Sequence, residues 1–373
     1  MHFMIKKLYE MITKPTLLLD VKKCKTNIAN MCVKTKTHNI DLRPHFKTHQ
    51  SLEIGQWFKD IGISKITVSS LEMADYFAKE WNDITVAFPI NILEVDTINK
   101  LAEKITLNIL IESKETVSFL NNNLKSKVNF LIKINIGNNR AGLLPSNIEQ
   151  IEDIIKTSET SNKLHFIGFL GHAGHTYKCR NKATVLQIHK EAKDKIVSLK
   201  DKFRVQYPNI IASYGDTPSC SIAEDFSGID EIRPGNYVFY DLMQYQIGAC
   251  DIKDIAVAMA CPIVAIHKDI NEMVIYGGGI HFSKDNIIEN GKTIYGKIAK
   301  KESYGWSNLI PNMNVRGLSQ EHGIISVPDS EIDNYKIGNI IYVLPVHSCM
   351  TANLMKNYLT TEGKTIKMFN SSN

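Results

Sequence analysis

Eight short apolar runs that alternate with longer amphipathic segments constrain the fold more than any other feature of this sequence. The runs are rich in β-branched residues, whereas intervening segments such as SLEIGQWFKDIG and SLEMADYFAKEW have the apolar spacing of helices. Because strands joined through helices pair in parallel, the pattern predicts an α/β protein with a (β/α)8 barrel. A doubly wound open sheet is compatible with the same alternation. The predicted strands are 40–46, 65–70, 84–88, 106–111, 129–136, 164–171, 210–215 and 231–239.

The alternation ends near residue 250, where strand-like runs follow one another without a long helical segment between them. CPIVAIHK, EMVIYGGG, GIISV and NIIYVLPVH are separated by turns rich in Gly, Asn and Lys, which predicts a second, mostly β domain. The early run KPTLLLD is able to join it, so this domain is discontinuous. A chain of 373 residues is long enough for two domains. We therefore predict a barrel over 18–248 and a β-rich domain formed by 1–17 and 249–373.

Composition argues against several classes of function. The 44 basic and 39 acidic residues leave a net charge of +5 with no dense basic run, which argues against nucleic-acid binding. No stretch approaches the roughly 20 apolar residues that span a bilayer, and the N-terminus MHFMIKKLYEMITKP lacks the features of a signal peptide. Seven irregularly spaced cysteines suit a reducing compartment. We expect a cytoplasmic protein.

Polar residues collect where the predicted barrel strands end, the edge at which barrels place functional groups. The densest group is RPHFKTH, over residues 43–49. Within it, Arg43, His45 and His49 flank Lys47, and neighbouring cations together with partial burial are expected to lower the pKa of this lysine. A neutral amine is able to form a Schiff base with an aldehyde cofactor. An ordinary exposed lysine is the alternative interpretation.

RPHFKTHQ, with SSLEMADYF one βα unit later, resembles the D-serine dehydratase and D-threonine aldolase group of fold-type III pyridoxal-phosphate (PLP) enzymes. This group is related in architecture to alanine racemase. The resemblance extends from KPTLLLD near residue 15 to PVHSCMTANL near residue 350. It implies that Lys47 is the catalytic residue and carries PLP, that the substrate is a small D-amino acid, and that the protein is a homodimer.

The resemblance also assigns further residues to the cofactor. IGNNRAG places Arg140 near the phenolic oxygen of PLP, and GHAGHTY offers Tyr177. YGDTPSCS and RPGNYVFYD resemble a phosphate cradle, in which hydroxyls and successive backbone N–H groups bind the anion, although either segment alone reads as a simple turn. Leu170 stands where some members have a tyrosine, which implies a missing contact. The implied cofactor residues are Lys47, Arg140, Tyr177, Thr217, Ser219, Gly235 and Asn236.

A second dense feature is PVHSC, at residues 345–349. In an extended segment His347 and Cys349 point to the same side, and imidazole plus thiolate suits zinc while leaving positions open for water or substrate. A buried cysteine beside an ordinary histidine is the alternative. The resemblance implies that this is the metal pair of the dehydratases. Some aldolases have an acidic residue at the second position, which would favour magnesium or manganese.

Two glycine-containing segments of the β-rich domain are less specific. Glu321 and His322 in GLSQEHG either complete the pocket or form an exposed turn. The run GGG at 277–279 is predicted to be a tight turn rather than a dinucleotide fingerprint, because no helical pattern follows it.

The resemblance implies a PLP- and metal-dependent lyase that acts on β-hydroxy D-amino acids. D-serine dehydration to pyruvate and ammonia is the favoured reaction, and D-threonine aldolase activity, which releases glycine and an aldehyde, is the alternative. An amino-acid racemase is less favoured, because it needs protonation from both faces and no metal. A non-catalytic cofactor carrier would leave the metal pair without a role, and a structural module would not need polar residues at the strand ends.

Overall fold

The structure is a computed structural model that describes residues 12–303 and 305–371. The chain divides into two compact units. The barrel unit comprises residues 30–47 and 55–235, and the β unit comprises residues 1–29, 48–54 and 236–373. The division at 17/18 and 248/249 stays a prediction.

The secondary structure alternates through the barrel unit and is mostly strand in the β unit. The strands are β1 (Thr16–Leu19), β2 (Asp41–Leu42), β3 (Lys65–Val68), β4 (Asp83–Pro89), β5 (Thr106–Ile111), β6 (Val128–Ile134), β7 (Leu164–Gly171), β8 (Ile211–Tyr214), β9 (Glu231–Ile232), β10 (Val257–His267), β11 (Glu272–Tyr276), β12 (Ile287–Glu289), β13 (Lys292–Ile294), β14 (Gly296–Lys301), β15 (Trp306–Leu318), β16 (His322–Ser326), β17 (Ile340–Pro345), β18 (Asn357–Thr360) and β19 (Thr365–Lys367). The helices are α1 (Val21–Thr37), α2 (Leu52–Lys59), α3 (Leu71–Phe77), α4 (Val95–Ala102), α5 (Lys114–Asn123), α6 (Ile148–Ser158), α7 (Lys182–Phe203), α8 (Thr217–Ile222), α9 (Leu242–Ile247), α10 (Gly279–Phe282) and α11 (Ser348–Met355).

Within the described residues, the barrel unit contains one parallel sheet of eight strands, in the order β2-β9-β8-β7-β6-β5-β4-β3. A further parallel bridge between His45 and Thr67 brings the chain after β2 next to β3, so the sheet is nearly closed. The predicted barrel is therefore confirmed, and the open doubly wound sheet is excluded. β2 and β9 are shorter than predicted because Pro44 and Pro234, which lack an N–H, follow them closely.

Apolar and polar side chains are both buried in the barrel unit. Leu110, Leu131 and Leu170 form a buried apolar cluster, so Leu170 fills core volume. Among the buried polar residues, Arg43 donates to Asp83 Oδ1 at 2.6 Å and to Glu231 Oε2 at 2.8 Å. These ion pairs connect the chain after β2 with the first residues of β4 and β9.

The β unit is built on an antiparallel barrel-like ring. Among the described residues, six strands close on themselves in the order β10-β11-β16-β15-β14-β17, because β10 pairs with both β11 and β17. β1 pairs with the other end of β10, with Thr16 opposite Ala260, and β18 and β19 extend the sheet. The predicted mostly β C-terminal domain is confirmed. No helix in the described part of the chain is long and apolar enough to cross a membrane.

Candidate functional site

Lys47 lies just beyond the carboxyl end of β2, and the backbone before it is firmly held. The His45 N–H donates to the Pro234 carbonyl at 2.9 Å, and the Phe46 N–H donates to the Thr67 carbonyl at 2.8 Å. The fully buried Phe46 ring packs edge-on against Trp81, with ring centroids 5.1 Å apart. Lys47, which is exposed, thus follows a rigid segment at the edge where barrels place functional groups.

Two neutral imidazoles lie close to this lysine. Burial lowers the pKa of His45 well below its ordinary value, and the charges of Lys47 and Arg233 lower this pKa further. Burial also lowers the pKa of His172, with the charge of Lys133 as the next cause. Both rings are therefore uncharged at neutral pH, and the positive charge of the site belongs to lysines and arginines.

These cations differ from those that the sequence indicated. The charge of Arg43 is balanced by Asp83 and Glu231, and burial lowers the pKa of His49 to about 3, so neither supplies a free positive charge. Lys133 and Arg233 were missed. Lys133 interrupts the buried apolar run of β6, which was the available sequence signal.

Arg233 and His172 are fixed by hydrogen bonds within the barrel unit. Arg233 donates through Nη2 to the Gly171 carbonyl at 2.6 Å and through Nε to Ser213 Oγ at 2.7 Å. His172 Nδ1 lies 2.5 Å from the Gly215 carbonyl, which only accepts, so Nδ1 carries the proton and Nε2 has the lone pair. The site therefore contains oriented polar groups on buried strand ends.

Lys133 is only 6% exposed. Burial lowers its pKa to about 7, and the charges of Arg233 and Arg140 act in the same direction. Arg140 itself is exposed, in the loop that follows β6. Such a concentration of cations favours an anionic ligand.

The segment after β8, for which a phosphate cradle was predicted, is held by several hydrogen bonds around the start of α8. Asp216 caps α8 by accepting from the Ser219 N–H at 2.8 Å, and Thr176 Oγ1 donates to the same carboxylate at 2.7 Å. The Thr217 N–H donates to the Tyr177 hydroxyl at 3.3 Å. The buried Thr217 hydroxyl has no hydrogen-bond partner among the described residues. Because an unmatched buried hydroxyl is costly, the cradle fits an external acceptor such as a phosphate.

Gly235 and Asn236 stand where the chain leaves the barrel unit and enters the β unit. The Asn236 side chain donates to Asp241 Oδ2 at 2.7 Å, to Ser348 Oγ at 3.0 Å and to Cys349 Sγ at 3.4 Å. The Asn236 amide thus forms hydrogen bonds with the His-Ser-Cys segment at 347–349, which the sequence did not indicate. The phosphate-binding roles of the two backbone N–H groups stay a prediction.

His347 and Cys349 come together, but not in the predicted extended segment. β17 ends at Pro345, His347 caps α11 with φ −132° and ψ 94°, and Cys349 lies in the first turn of that helix. The expectation of an extended i, i+2 pair was therefore wrong. Burial lowers the pKa of His347, but hydrogen bonds with Asp285 and Cys349 outweigh burial and raise this pKa to about 11.

The Cys349 sulfur is surrounded by polar side chains. Thr48 Oγ1 lies 3.2 Å from Sγ, and the Asn236 amide donates to it. Residues 12–303 and 305–371 contain no group of three or more His, Cys, Asp or Glu side chains that could hold a metal ion. Two protein ligands would leave several coordination positions to water or substrate, which suits a catalytic rather than a structural ion.

A short segment of the β unit adds residues that sequence reasoning missed. Where a tight turn was predicted, the four-residue helix α10 begins at Gly279, and Asp285 follows it to lie 2.9 Å from His347 Nδ1. Glu321 faces His281 at 3.9 Å, and His322 is exposed at the start of β16. The hydrogen bonds given above for His347 and Cys349 involve Asp285, Asn236 and Thr48.

Comparison with known proteins agrees with this architecture. Residues 19–242 match the family "Alanine racemase, N-terminal domain", and residues 256–361 match the family "Putative serine dehydratase domain". A D-serine dehydratase of Dictyostelium discoideum is 30% identical over 359 residues, covering 89% of this chain and 90% of that protein.

Solved structures show the same fold. D-threo-3-hydroxyaspartate dehydratase from Delftia sp. HT23 superposes with a TM-score of 0.89 at 23% identity, covering 98% of this chain and 99% of the other. D-threonine aldolase from Filomicrobium marinum gives a TM-score of 0.82 at 18% identity, covering 96% and 95%. Together with the sequence relationship over nearly the whole chain, these matches show that the protein belongs to the D-serine dehydratase family, whose barrel is of the alanine racemase type.

Proposed function

We propose that the protein is a PLP- and metal-dependent lyase that converts D-serine to pyruvate and ammonia. The observation that carries this proposal is the hydrogen-bonded pair of His347 and Cys349, with polar groups directed at the sulfur. A racemase does not need such a pair. The proposal is further supported by Lys47 at a barrel strand end, close to several cations.

In this proposal, PLP supplies an electron sink for negative charge at the substrate Cα. Lys47 Nζ would hold the cofactor covalently. Thr217, whose buried hydroxyl has no partner among the described residues, would donate to the phosphate, with Ser219, Gly235 and Asn236 completing the cradle. Arg140 would face the phenolic oxygen, and Tyr177 would line the pocket.

The metal would be held by His347 Nε2 and Cys349 Sγ, and it supplies Lewis acidity towards a leaving hydroxyl. A thiolate and an imidazole form a borderline-soft ligand pair, so zinc is the proposed ion, and manganese and magnesium are the alternatives to be tested. Thr48 and Asn236 would stabilise the charge on the sulfur through their hydrogen bonds.

Lys47 Nζ would then take the α-proton of D-serine. Loss of the β-hydroxyl as water, followed by addition of one water, converts D-serine to pyruvate and ammonia. Removal of the proton from the β-hydroxyl of D-threonine would instead break the Cα–Cβ bond and release glycine and acetaldehyde. The position from which the first proton is removed therefore decides between dehydratase and aldolase.

The test is product analysis with D-serine and D-threonine, in the presence of zinc, manganese or magnesium. We expect keto acid from D-serine, with loss of activity on chelation and in the variants Lys47→Ala and Cys349→Ala. Lys127→Ala, which removes an exposed lysine of the barrel unit, is the matched control and should retain activity. Glycine and acetaldehyde from D-threonine without keto acid from D-serine would replace the proposal by the aldolase.

We also infer a cytoplasmic homodimer. None of the seven cysteines forms a disulfide in the described chain, as a reducing compartment would maintain, and the dimer follows from the family resemblance. Sedimentation equilibrium of the purified protein would measure twice the 42.1 kDa chain mass if this is right.

A further inference from the structure

The His347 ring is held from the side by a carboxylate. Its Nδ1 lies 2.9 Å from Asp285 Oδ2. An ionised carboxylate only accepts, so Nδ1 carries the hydrogen, and Nε2 is the nitrogen that remains for a metal. Metal-binding histidines commonly have such a partner, which fixes both the tautomer and the direction of the ring.

Asp285 is itself held in place. Ser283 Oγ donates to Asp285 Oδ2 at 3.0 Å, and the Asp285 N–H donates back to Ser283 Oγ at 3.2 Å. Ser283 has φ +72°, a conformation that a residue other than glycine adopts only when its surroundings enforce it. The carboxylate therefore occupies a defined position rather than a mobile one.

The segment that carries Asp285 is also connected to the helix that carries Cys349. Thr351 of α11 donates from Oγ1 to the Phe282 carbonyl at 3.0 Å, one residue before Ser283. On the other side of the same helix start, the Ser348 N–H donates to Asp241 Oδ2 at 2.9 Å. Both proposed ligands are thus supported by neighbouring elements of the β unit.

An ordinary surface ion pair is the alternative interpretation, and the protein contains one for comparison. His38 Nε2 lies 3.0 Å from Glu224 Oε2, but Glu224 is 74% exposed. By contrast, His347 and Asp285 are 30% and 38% exposed. His38, at 20%, is less exposed than His347, so the difference lies in the carboxylate. Asp285 is less exposed than Glu224, is anchored by Ser283, and belongs to a pair that lies beside a cysteine.

We propose that Asp285 is the positioning residue of the metal site, which holds the His347 ring so that Nε2 and Cys349 Sγ are presented together to the ion. Asp285 acts through His347 and does not bind the metal. This inference rests on the proposed function only in assuming that His347 and Cys349 form a metal site.

The test measures metal binding to the intact protein without substrate. Affinities for Zn²⁺ are obtained by competition with a chromophoric chelator, and Co²⁺ reports ligand geometry through its visible absorption bands. Asp285→Ala should weaken Zn²⁺ binding about 10- to 100-fold and alter the Co²⁺ bands. Asp285→Asn should lose less affinity, because its amide oxygen still accepts from Nδ1. Glu224→Gln, at the comparison pair, should bind as the unsubstituted protein does.

The outcomes separate the inference from the proposed function. If the unsubstituted protein binds no metal, or if His347→Ala does not impair binding, the metal site itself is wrong. If binding depends on His347 but Asp285→Ala leaves affinity and Co²⁺ bands unchanged, only the positioning role fails. A loss as large as that of His347→Ala would make Asp285 a ligand and also overturn the role. Should Asp285→Ala fail to fold, Asp285→Leu takes its place, because its side chain has a similar volume but cannot accept from Nδ1; unchanged affinity and Co²⁺ bands in that variant would refute the positioning role.

Discussion

Lys133 provides the sharpest prediction about stability. Its side chain is buried within β6, and burial lowers its pKa from 10.5 to about 7, with Arg233 and Arg140 adding to the effect. A charged ammonium in this position destabilises the folded state. We therefore expect Lys133→Met to stabilise the cofactor-free protein at neutral pH.

The sign and size of the effect follow from proton linkage. The folded-state pKa lies below the unfolded value, so the unfolded chain binds more protons between pH 7 and 10.5, and the stability of the folded state rises with pH across this window. At pH 7 the difference in pKa corresponds to at most roughly 4 kcal/mol. Allowing for relaxation around the charge, we expect a gain of about 2 kcal/mol, or about 4–8 °C in Tm for a unit of this size.

The assay is thermal unfolding of the cofactor-free protein, followed by circular dichroism at several pH values from 6 to 10. The gain in Lys133→Met should be largest at the lowest pH and should fall steadily towards pH 10, as the pH approaches the unfolded-state pKa of 10.5. Lys127→Met, at an exposed position before β6, should show no comparable gain. A Lys133→Met protein no more stable at pH 7, or one whose advantage grows with pH, would contradict the assignment of a buried, destabilising charge.

Two further substitutions test the barrel unit. Arg43→Ala leaves the buried Glu231 without the guanidinium that pairs with it, and should lower the free energy of unfolding by about 3–5 kcal/mol in a denaturant titration. Its control, Lys65→Ala, removes an exposed ion pair with Asp41 and should lower it by under about 1 kcal/mol. Equal losses in the two variants would refute the structural role of Arg43. Gly168→Ala places a Cβ against the Ile211 carbonyl oxygen at φ +138° and should cost at least about 3 kcal/mol. At Gly62, φ is +90° and an added Cβ would have no atom of the described chain within 4 Å outside the neighbouring residues. The loss of unfolding free energy in Gly62→Ala should therefore come from backbone strain alone.

The barrel could be predicted because each of its strands and helices has a recognisable pattern within a short stretch of sequence. Each strand of a parallel barrel is buried and therefore reads as an apolar run, and each crossover helix leaves an amphipathic pattern between two runs. The predicted ends differ most from the structure at β2 and β9. There the chain remains extended through Pro44 and Pro234, but a residue without an N–H cannot continue the ladder. The extended sequence and the hydrogen-bonded strand therefore differ in length.

The site could be predicted only in part. Its motifs consist of residues that are neighbours in the sequence, whereas its ion pairs join residues that are far apart in the sequence. Lys47 follows β2 and Thr217 follows β8, as the motifs indicated, whereas the hydrogen bond between the Thr217 N–H and Tyr177 was not indicated by either motif. The charge balance was read wrongly, since Arg43 is neutralised by carboxylates 40 and 188 residues away. No spacing rule along the chain connects such partners.

The proposed metal site shows the same limit of sequence-based prediction over a shorter distance along the chain. The two proposed ligands, two residues apart, are visible in the sequence whether the segment is strand or helix, so proposing this pair did not depend on the extended backbone that was expected. Asp285 lies 62 residues before His347 in a segment that was expected to contain only a glycine turn. Its position depends on the left-handed backbone of Ser283 and on the hydrogen bond between Thr351 and Phe282, and both arise only after the β unit has folded. A residue that orients a ligand is therefore less visible in sequence than the ligand, because its chemistry is specified by geometry rather than by residue type.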